Sequence, residues 1–394
     1  MRTYSLLRML GLAVGALAAS GFAAAADDAV KIGLIAPMTG PFAPVGKQMQ
    51  AGAKLYIAEH GDTVAGKKIE LVVKDDAGVP DNSKRLAQEL VVNDHASVLM
   101  GMGLTPIALA VAPIATAAKV PEIVTLAGTS IITEKSPYIV RTSFTLPQSA
   151  TVIADWAAKN GIKKVVTLVA DYAPGQDAEK AFVDRFKGAG GDTVESLRVP
   201  LQNPDYAPFL QRAADDKPDA LFIFVPASQG GVLMKQFSER GLDKSGIKLI
   251  GTGDFTDDDL LNGMGDAALG AVTAFNYSAA HPSDMNQAFV KAFKAANGGM
   301  RPNFVAVHTY DGVHLVYAAL AATNGDATGD ALLAKMTGLA WESPRGPISI
   351  DPETRDIIQD IYVRQVKRGS DGELYNVELA TFENVKDPVK AAKK

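Results

Sequence analysis

The 394-residue chain contains no cysteine. That excludes disulfides, thiolate nucleophiles, cysteine-ligated zinc and iron–sulfur clusters. Histidine is scarce as well. There are five, and His308 and His314 stand six positions apart, on different faces of any helix. A formal charge of −5 and a pI near 5.6 lack the basic footprint of a nucleic-acid binder. No G-x-G-x-x-G turn follows the first strand-like segment. The chain there runs into the Gly/Pro-rich loop Pro37 to Gly46, where proline leaves few N–H donors for a pyrophosphate. No Walker A sequence and no G-x-S-x-G elbow are present, and Ser245-Gly-Ile-Lys248 is an isolated S-x-x-K ahead of a strand. Dinucleotide, nucleoside-triphosphate and serine-hydrolase chemistry therefore lack their motifs, and no cofactor, no metal and no catalytic residue is expected.

The amino terminus does carry a signal. Arg2 and Arg8 precede a short apolar stretch, Met9 to Phe22, and Ala24-Ala25-Ala26 stands before Asp27. This is the pattern of a secretory leader, expected to be removed after residue 26. The stretch falls short of the ~20 uninterrupted apolar residues a membrane span needs. The leader holds two arginines and no acid, so its loss takes the formal charge from −5 to −7. No twin-arginine pair is present, which points to export unfolded. Without cysteine the product has no residue for a lipid anchor and is expected free in the periplasm.

Beyond the leader, strand and helix patterns alternate. Apolar runs at Val30–Ala36, Ile69–Lys74, Ser97–Gly101 and Pro121–Thr125 read as strands, separated by helical segments. The pattern restarts with strands at Lys164–Ala170, Asp192–Val199, Asp219–Val225, Lys248–Gly251 and Leu269–Phe275. Helices are predicted at Ser283–Asn297, Asn303–Thr323 and Asp330–Thr337, then strands at Pro347–Ile350 and Ile357–Val366. Lys386 to Lys394 reads as a frayed end. Such alternation predicts an α/β protein with parallel sheets covered by helices on both faces.

Candidate binding residues sit at strand ends, where ligands bind in such sheets. Thr105-Pro106 reads as an N-cap and first helical residue after the third strand. A helix start there offers N–H groups and a hydroxyl to a carboxylate. Ala127-Gly128-Thr129-Ser130 supplies a second cluster of hydroxyls and open backbone. From the residues alone, ligand contact and simple helix capping are equal readings. Phe42, Tyr172, Asp254, Phe255, Phe275 and Tyr277 also follow strands, and each aromatic could equally pack a core or an interlobe face. Asp257-Asp258-Asp259 is read as the acidic first turn of a helix capped by Thr256.

The order and spacing of these segments resemble the periplasmic solute-binding proteins of ABC transporters, in the leucine/isoleucine/valine-binding family. The residues that carry the resemblance are Val30-Lys-Ile-Gly-Leu-Ile-Ala-Pro-Met-Thr-Gly-Pro41 with Gly46 and Gly52, Leu71-Val-Val-Lys-Asp-Asp76, Gly101 with Thr105, and Ala127-Gly-Thr129. Further along they are Asp205-Tyr-Ala-Pro-Phe-Leu210, Pro218-Asp-Ala-Leu221 and Gly251-Thr-Gly-Asp254. The resemblance implies two Rossmann-like lobes joined by three crossovers, near Arg141–Leu146, Tyr277–Ser283 and Glu342–Ile350. Lobe one is expected over residues 27–143 plus 280–345, lobe two over 144–279 plus 346–394. It also implies a monomer that captures a small carboxylate and delivers it to membrane permease subunits. Thr105, Ala127 and Thr129 match the family's carboxylate-binding positions and Tyr172 an aromatic lining residue; Gly128, Phe42 and Phe275 are further ligand-binding candidates. Asp254, or its neighbour Gly253, falls near the acid that holds an ammonium group. Where branched-chain binders carry tyrosines, this chain has Pro226-Ala-Ser-Gln229. The ligand thus stands open between a branched-chain amino acid and an aromatic acid. A signalling receptor is the main alternative, and an exported hydrolase lacks any constellation to support it.

Overall fold

A computed structural model describes residues 29–393; the predicted leader, 1–26, lies outside them. The chain forms two α/β lobes. The first sheet has the order Thr63–Val64, Lys67–Asp75, Val30–Ala36, Val98–Gly101, Glu122–Val124, Ile139–Arg141. Every pairing is parallel except the Thr63–Val64 hairpin with Lys67 and Lys68. Val30–Ala36 lies in the middle of this sheet, with Ile32 beside both Leu71 and Val98. Helices cover both faces, which is why this strand is nearly continuous in apolar residues. Helix Ala43–His60 packs along helix Phe304–Ala322. The approach is close enough that a Cβ on Gly52 would stand 2.2 Å from the Ala306 carbonyl oxygen, so glycine is required there.

The second sheet runs Ala340–Ser343, Gly346–Ile350, Ile357–Arg368, Val272–Phe275, Lys248–Thr252, Ala220–Phe224, Lys164–Ala170, Asp192–Val199, and Leu374–Val385 pairs antiparallel with Ile357–Arg368. Its half from Val272 to Val199 is parallel and its other half antiparallel. Helices Asp284–Ala296, Phe304–Ala322 and Gly329–Met336 return to the first lobe. Three passages link the sheets: residues 142–145, 276–283 and 337–339. The strand Ala340–Ser343 already belongs to the second sheet's edge, a few residues before the expected third crossover.

These passages are cross-braced. Arg345 is fully buried. Its Nε donates to Asp311 Oδ2 at 2.8 Å, and its other nitrogens donate to the Ser143 carbonyl at 3.2 Å, the Thr142 carbonyl at 2.6 Å and Gln359. Asn276 Nδ2 donates to Gln359 Oε1 at 2.8 Å and lies 2.7 Å from His308 Nε2. Burial, then the Arg345 charge, holds the His308 ring neutral by lowering its pKa.

Two local expectations change. Leu374–Val385, a twelve-residue edge strand, is half exposed and too polar to register as an apolar run. The carboxyl end does not fray at once: Pro388–Ala391 forms a helical turn, and Lys390 Nζ pairs with Asp356 Oδ2 at 2.5 Å in a buried contact.

Candidate ligand-binding site

The cleft between the lobes encloses a small cavity of about 40 Å³. Its walls bring together Phe42, Thr105, Ala127, Gly128, Tyr172 and Asp254. Thr129 and Phe275 are not among the lining residues. Thr129 stands directly behind, its Oγ1 2.8 Å from Thr105 Oγ1. Phe275 is fully buried and packs edge-on against two rings that do line the cleft, Phe144 at 5.0 Å and Phe304 at 4.7 Å. It supports the wall rather than forming it.

The first lobe's wall is polar. Thr105 does not cap its helix. Leu104 holds the cap position, Thr105 opens helix Thr105–Ala118 and Pro106 follows, so the hydroxyl is free to meet Thr129. The loop Ala127–Thr129 is shaped by a residue with no earlier role, Arg141. Its guanidinium is buried and donates to the carbonyls of Ala127 at 2.8 Å, Phe144 at 2.8 Å and Thr129 at 2.7 Å, while its Nε pairs with Asp356 Oδ1 at 2.8 Å. The Gly128 carbonyl accepts from Leu146 N–H at 2.9 Å. All three loop carbonyls are therefore taken. Among the described residues, the Gly128 and Thr129 N–H groups have no acceptor. Gly128 must be glycine, since a Cβ there would lie 2.2 Å from Leu146 Cδ2.

Apolar and aromatic groups make up the rest. Phe42 from the first loop faces a set from the second lobe: Tyr172, Pro174, Phe224, Pro226 and Ala227. Tyr172 and Phe224 stack with centroids 6.1 Å apart. Burial, then the nearby Asp254 carboxylate, pushes the Tyr172 phenol well up, so it stays protonated. Phe224 shares its strand with the core residue Phe222, and Phe144 lies in a crossover segment, so neither stood out in the sequence as a lining residue. Pro226-Ala227 was the one visible signal.

Asp254 is the lining's lone carboxyl and no lysine or arginine joins it there. It is 5% exposed, in the turn Gly253–Thr256 after strand Lys248–Thr252; its Oδ2 makes no hydrogen bond of normal geometry, with the Thr252 hydroxyl nearby as a weak counterweight to burial. The nearest guanidinium, Arg364, donates to the Gly253 carbonyl at 3.3 Å and to Thr273 Oγ1, and stands 3.9 Å from Asp258. Burial pushes the Asp254 carboxyl up from 3.8 to about 7.

The acidic run that follows is not the first turn of a helix. Asp257 is extended, and the next helical turn is Leu261–Met264. Asp257 and Asp258 are buried against the first lobe instead. Asn303 Nδ2 donates to Asp257 Oδ2 at 2.7 Å, and Arg301 donates to the Asp258 carbonyl at 3.3 Å. Across the cleft, Ser130 N–H donates to Asp177 Oδ2 at 3.0 Å. The two lobes thus meet around the cavity through hydrogen bonds on either side.

Two lobes of this construction, hinged by three strands over an interlobe cleft, define a type I periplasmic binding fold. Residues 29–373 match the family model described as periplasmic binding protein, and the chain belongs to that family. It is 44% identical over 385 residues to Leu/Ile/Val-binding protein homolog 6 of Brucella suis biovar 1 (strain 1330), covering 97% of this chain and 98% of that one. Among solved structures, a solute binding protein of an ABC transporter from Rhodopseudomonas palustris BisB5, in complex with 3,4-dihydroxybenzoic acid, is 67% identical with a TM-score of 0.91, over 92% of this chain and 99% of that one. Another from R. palustris HaA2, in complex with p-hydroxybenzoic acid, is 42% identical with a TM-score of 0.89, over 93% and 100%. No described helix is long and apolar enough to cross a membrane.

Proposed function

We propose that this chain is the periplasmic receptor of an ABC importer and that its ligand is an aromatic carboxylate. The observation that carries the reading is the division of the cleft: a wall of hydroxyls and unpaired amides faces aromatic and proline surfaces. The ligand's carboxylate is held by the Thr105 hydroxyl, which Thr129 Oγ1 positions from behind, and by the Gly128 and Thr129 N–H groups, beside Ala127 and the positive end of helix Thr105–Ala118. Its ring lies between Phe42 and Tyr172, with Phe275 behind. The close relationship to proteins that hold hydroxylated benzoic acids supports the same class. The name of the Brucella relative favours a branched-chain amino acid instead, but a cleft lined by Phe42, Tyr172, Phe224 and Pro226 suits a flat ring better than a branched chain.

The moving bodies are residues 29–143 with 280–339 and 144–279 with 340–393. The ligand contacts both and so draws the population toward the closed form. No bond is made or broken, so the chain works as a binding protein and not as an enzyme. We place it in the periplasm after removal of residues 1–26, as a soluble monomer that docks on permease subunits. A thermal-shift screen of the mature protein tests the ligand class. Benzoic acid derivatives are expected to raise Tm and L-leucine, L-isoleucine and L-valine to leave it unchanged; the reverse pattern overturns the proposal.

A further inference from the structure

We infer that Asp254 is the specificity residue of the cleft, and that it accepts a hydrogen bond from a hydroxyl on the ligand's ring, which makes ring-hydroxylated aromatic acids the preferred ligands. This rests on the aromatic-carboxylate reading above and deepens it. The argument is one of donor and acceptor numbers. Among the residues lining the cleft, Asp254 Oδ2 is the buried side-chain atom left without a partner. A buried carboxylate oxygen with nothing to accept from is costly, and a ligand that supplies one donor removes that cost.

A ring hydroxyl asks less of this wall than an ammonium group, which brings three N–H donors and needs as many acceptors. The carbonyls of Ala127, Tyr172 and Pro226 each already accept one hydrogen bond, from Arg141, Gln176 N–H and Gln229 N–H, and the Thr105 hydroxyl is paired with Thr129. The Asp254 carboxylate is the acceptor left for a phenolic O–H on a ring held among Phe42, Tyr172 and Phe224. A ligand without the hydroxyl, such as benzoate, fills the aromatic slot but leaves Asp254 unpaired beside a second anion.

The test is isothermal titration calorimetry on the mature protein with benzoate, 3-hydroxybenzoate, 4-hydroxybenzoate, 3,4-dihydroxybenzoate and L-leucine, repeated on Asp254→Asn. In the wild type at least one hydroxylated acid is expected to bind about 10- to 100-fold tighter than benzoate, the value of a hydrogen bond to a charged group. In Asp254→Asn that ratio is expected to collapse to within about threefold, with benzoate binding retained as proof that the variant is folded. Equal binding of benzoate and all hydroxylated acids by the wild type overturns the inference and leaves the aromatic reading standing. A preference that survives unchanged in Asp254→Asn also overturns it. Binding of L-leucine with no aromatic acid bound overturns both. The wild-type comparison needs no variant, so the inference stays testable whatever happens to the fold of Asp254→Asn.

Discussion

The buried Asp254 carboxyl has a consequence for stability that can be measured without any ligand. Unfolded, it titrates near 3.8; folded, burial lifts it to about 7. Between those values the folded state holds more of this proton than the unfolded state does. Stability therefore falls as pH rises. The contribution is fully present below 3.8 and is lost as pH climbs to and through 7. A difference of roughly three units at 1.36 kcal/mol each amounts to about 4 kcal/mol by pH 7. Other buried acids, among them Asp257 and Glu122, are pushed up in the same direction by burial, so the wild-type slope alone does not isolate Asp254. Asp254→Asn does: the amide has nearly the shape of the protonated acid and does not titrate. Urea unfolding of ligand-free protein at a series of pH values is the assay. At pH 4 the two proteins should be nearly equal in stability, and the variant should pull ahead by several kcal/mol at pH 7. A gap between the two that stays constant from pH 4 to pH 7 would refute the assignment of Asp254 as a desolvated, unpaired carboxyl.

Other perturbations read the remaining parts of the machine. Thr129→Ala removes the partner that positions the Thr105 hydroxyl, and should weaken binding up to about tenfold by calorimetry, the value of one hydrogen bond. Arg345→Ala strips the buried Asp311 carboxylate of its cation and frees two hinge carbonyls; a loss of about 3–5 kcal/mol in urea unfolding is expected, as for one half of a buried pair. Asn303→Ser keeps a capping side chain for helix Phe304–Ala322 but loses the amide that reaches Asp257 across the lobes. It should lower ligand affinity several-fold by calorimetry, since the lost hydrogen bond joins the two lobes beside the cavity.

The central strands of the two sheets could be read from the chain because burial on both faces leaves no alternation to confuse, and Val30–Ala36 and Lys164–Ala170 fall where expected. The strand-end hydroxyls Thr105 and Thr129 could be named from the chain, but helix capping was an equal reading there, and it is the contact between them that sets capping aside. What stayed hidden depended on contacts between distant segments. Arg141 looks like any hinge-strand arginine until residues 127, 129, 144 and 356 converge on it, and only then does it explain why a loop turns its carbonyls away and leaves its amides unpaired. Asp257-Asp258-Asp259 shows the same limit from the other side. A run of three acids after a threonine carries a local meaning, a helix start, and that meaning is wrong here because Asn303 and Arg301, more than 40 residues later, give the acids partners in the opposite lobe. Asp254 lies between these cases. Its position at a strand end was visible, but its role follows from what it lacks, and a missing partner is a property of the whole fold. The same acid that weakens the empty protein at neutral pH is the one a ring hydroxyl would satisfy, so stability given up in the empty cleft becomes selectivity in the filled one.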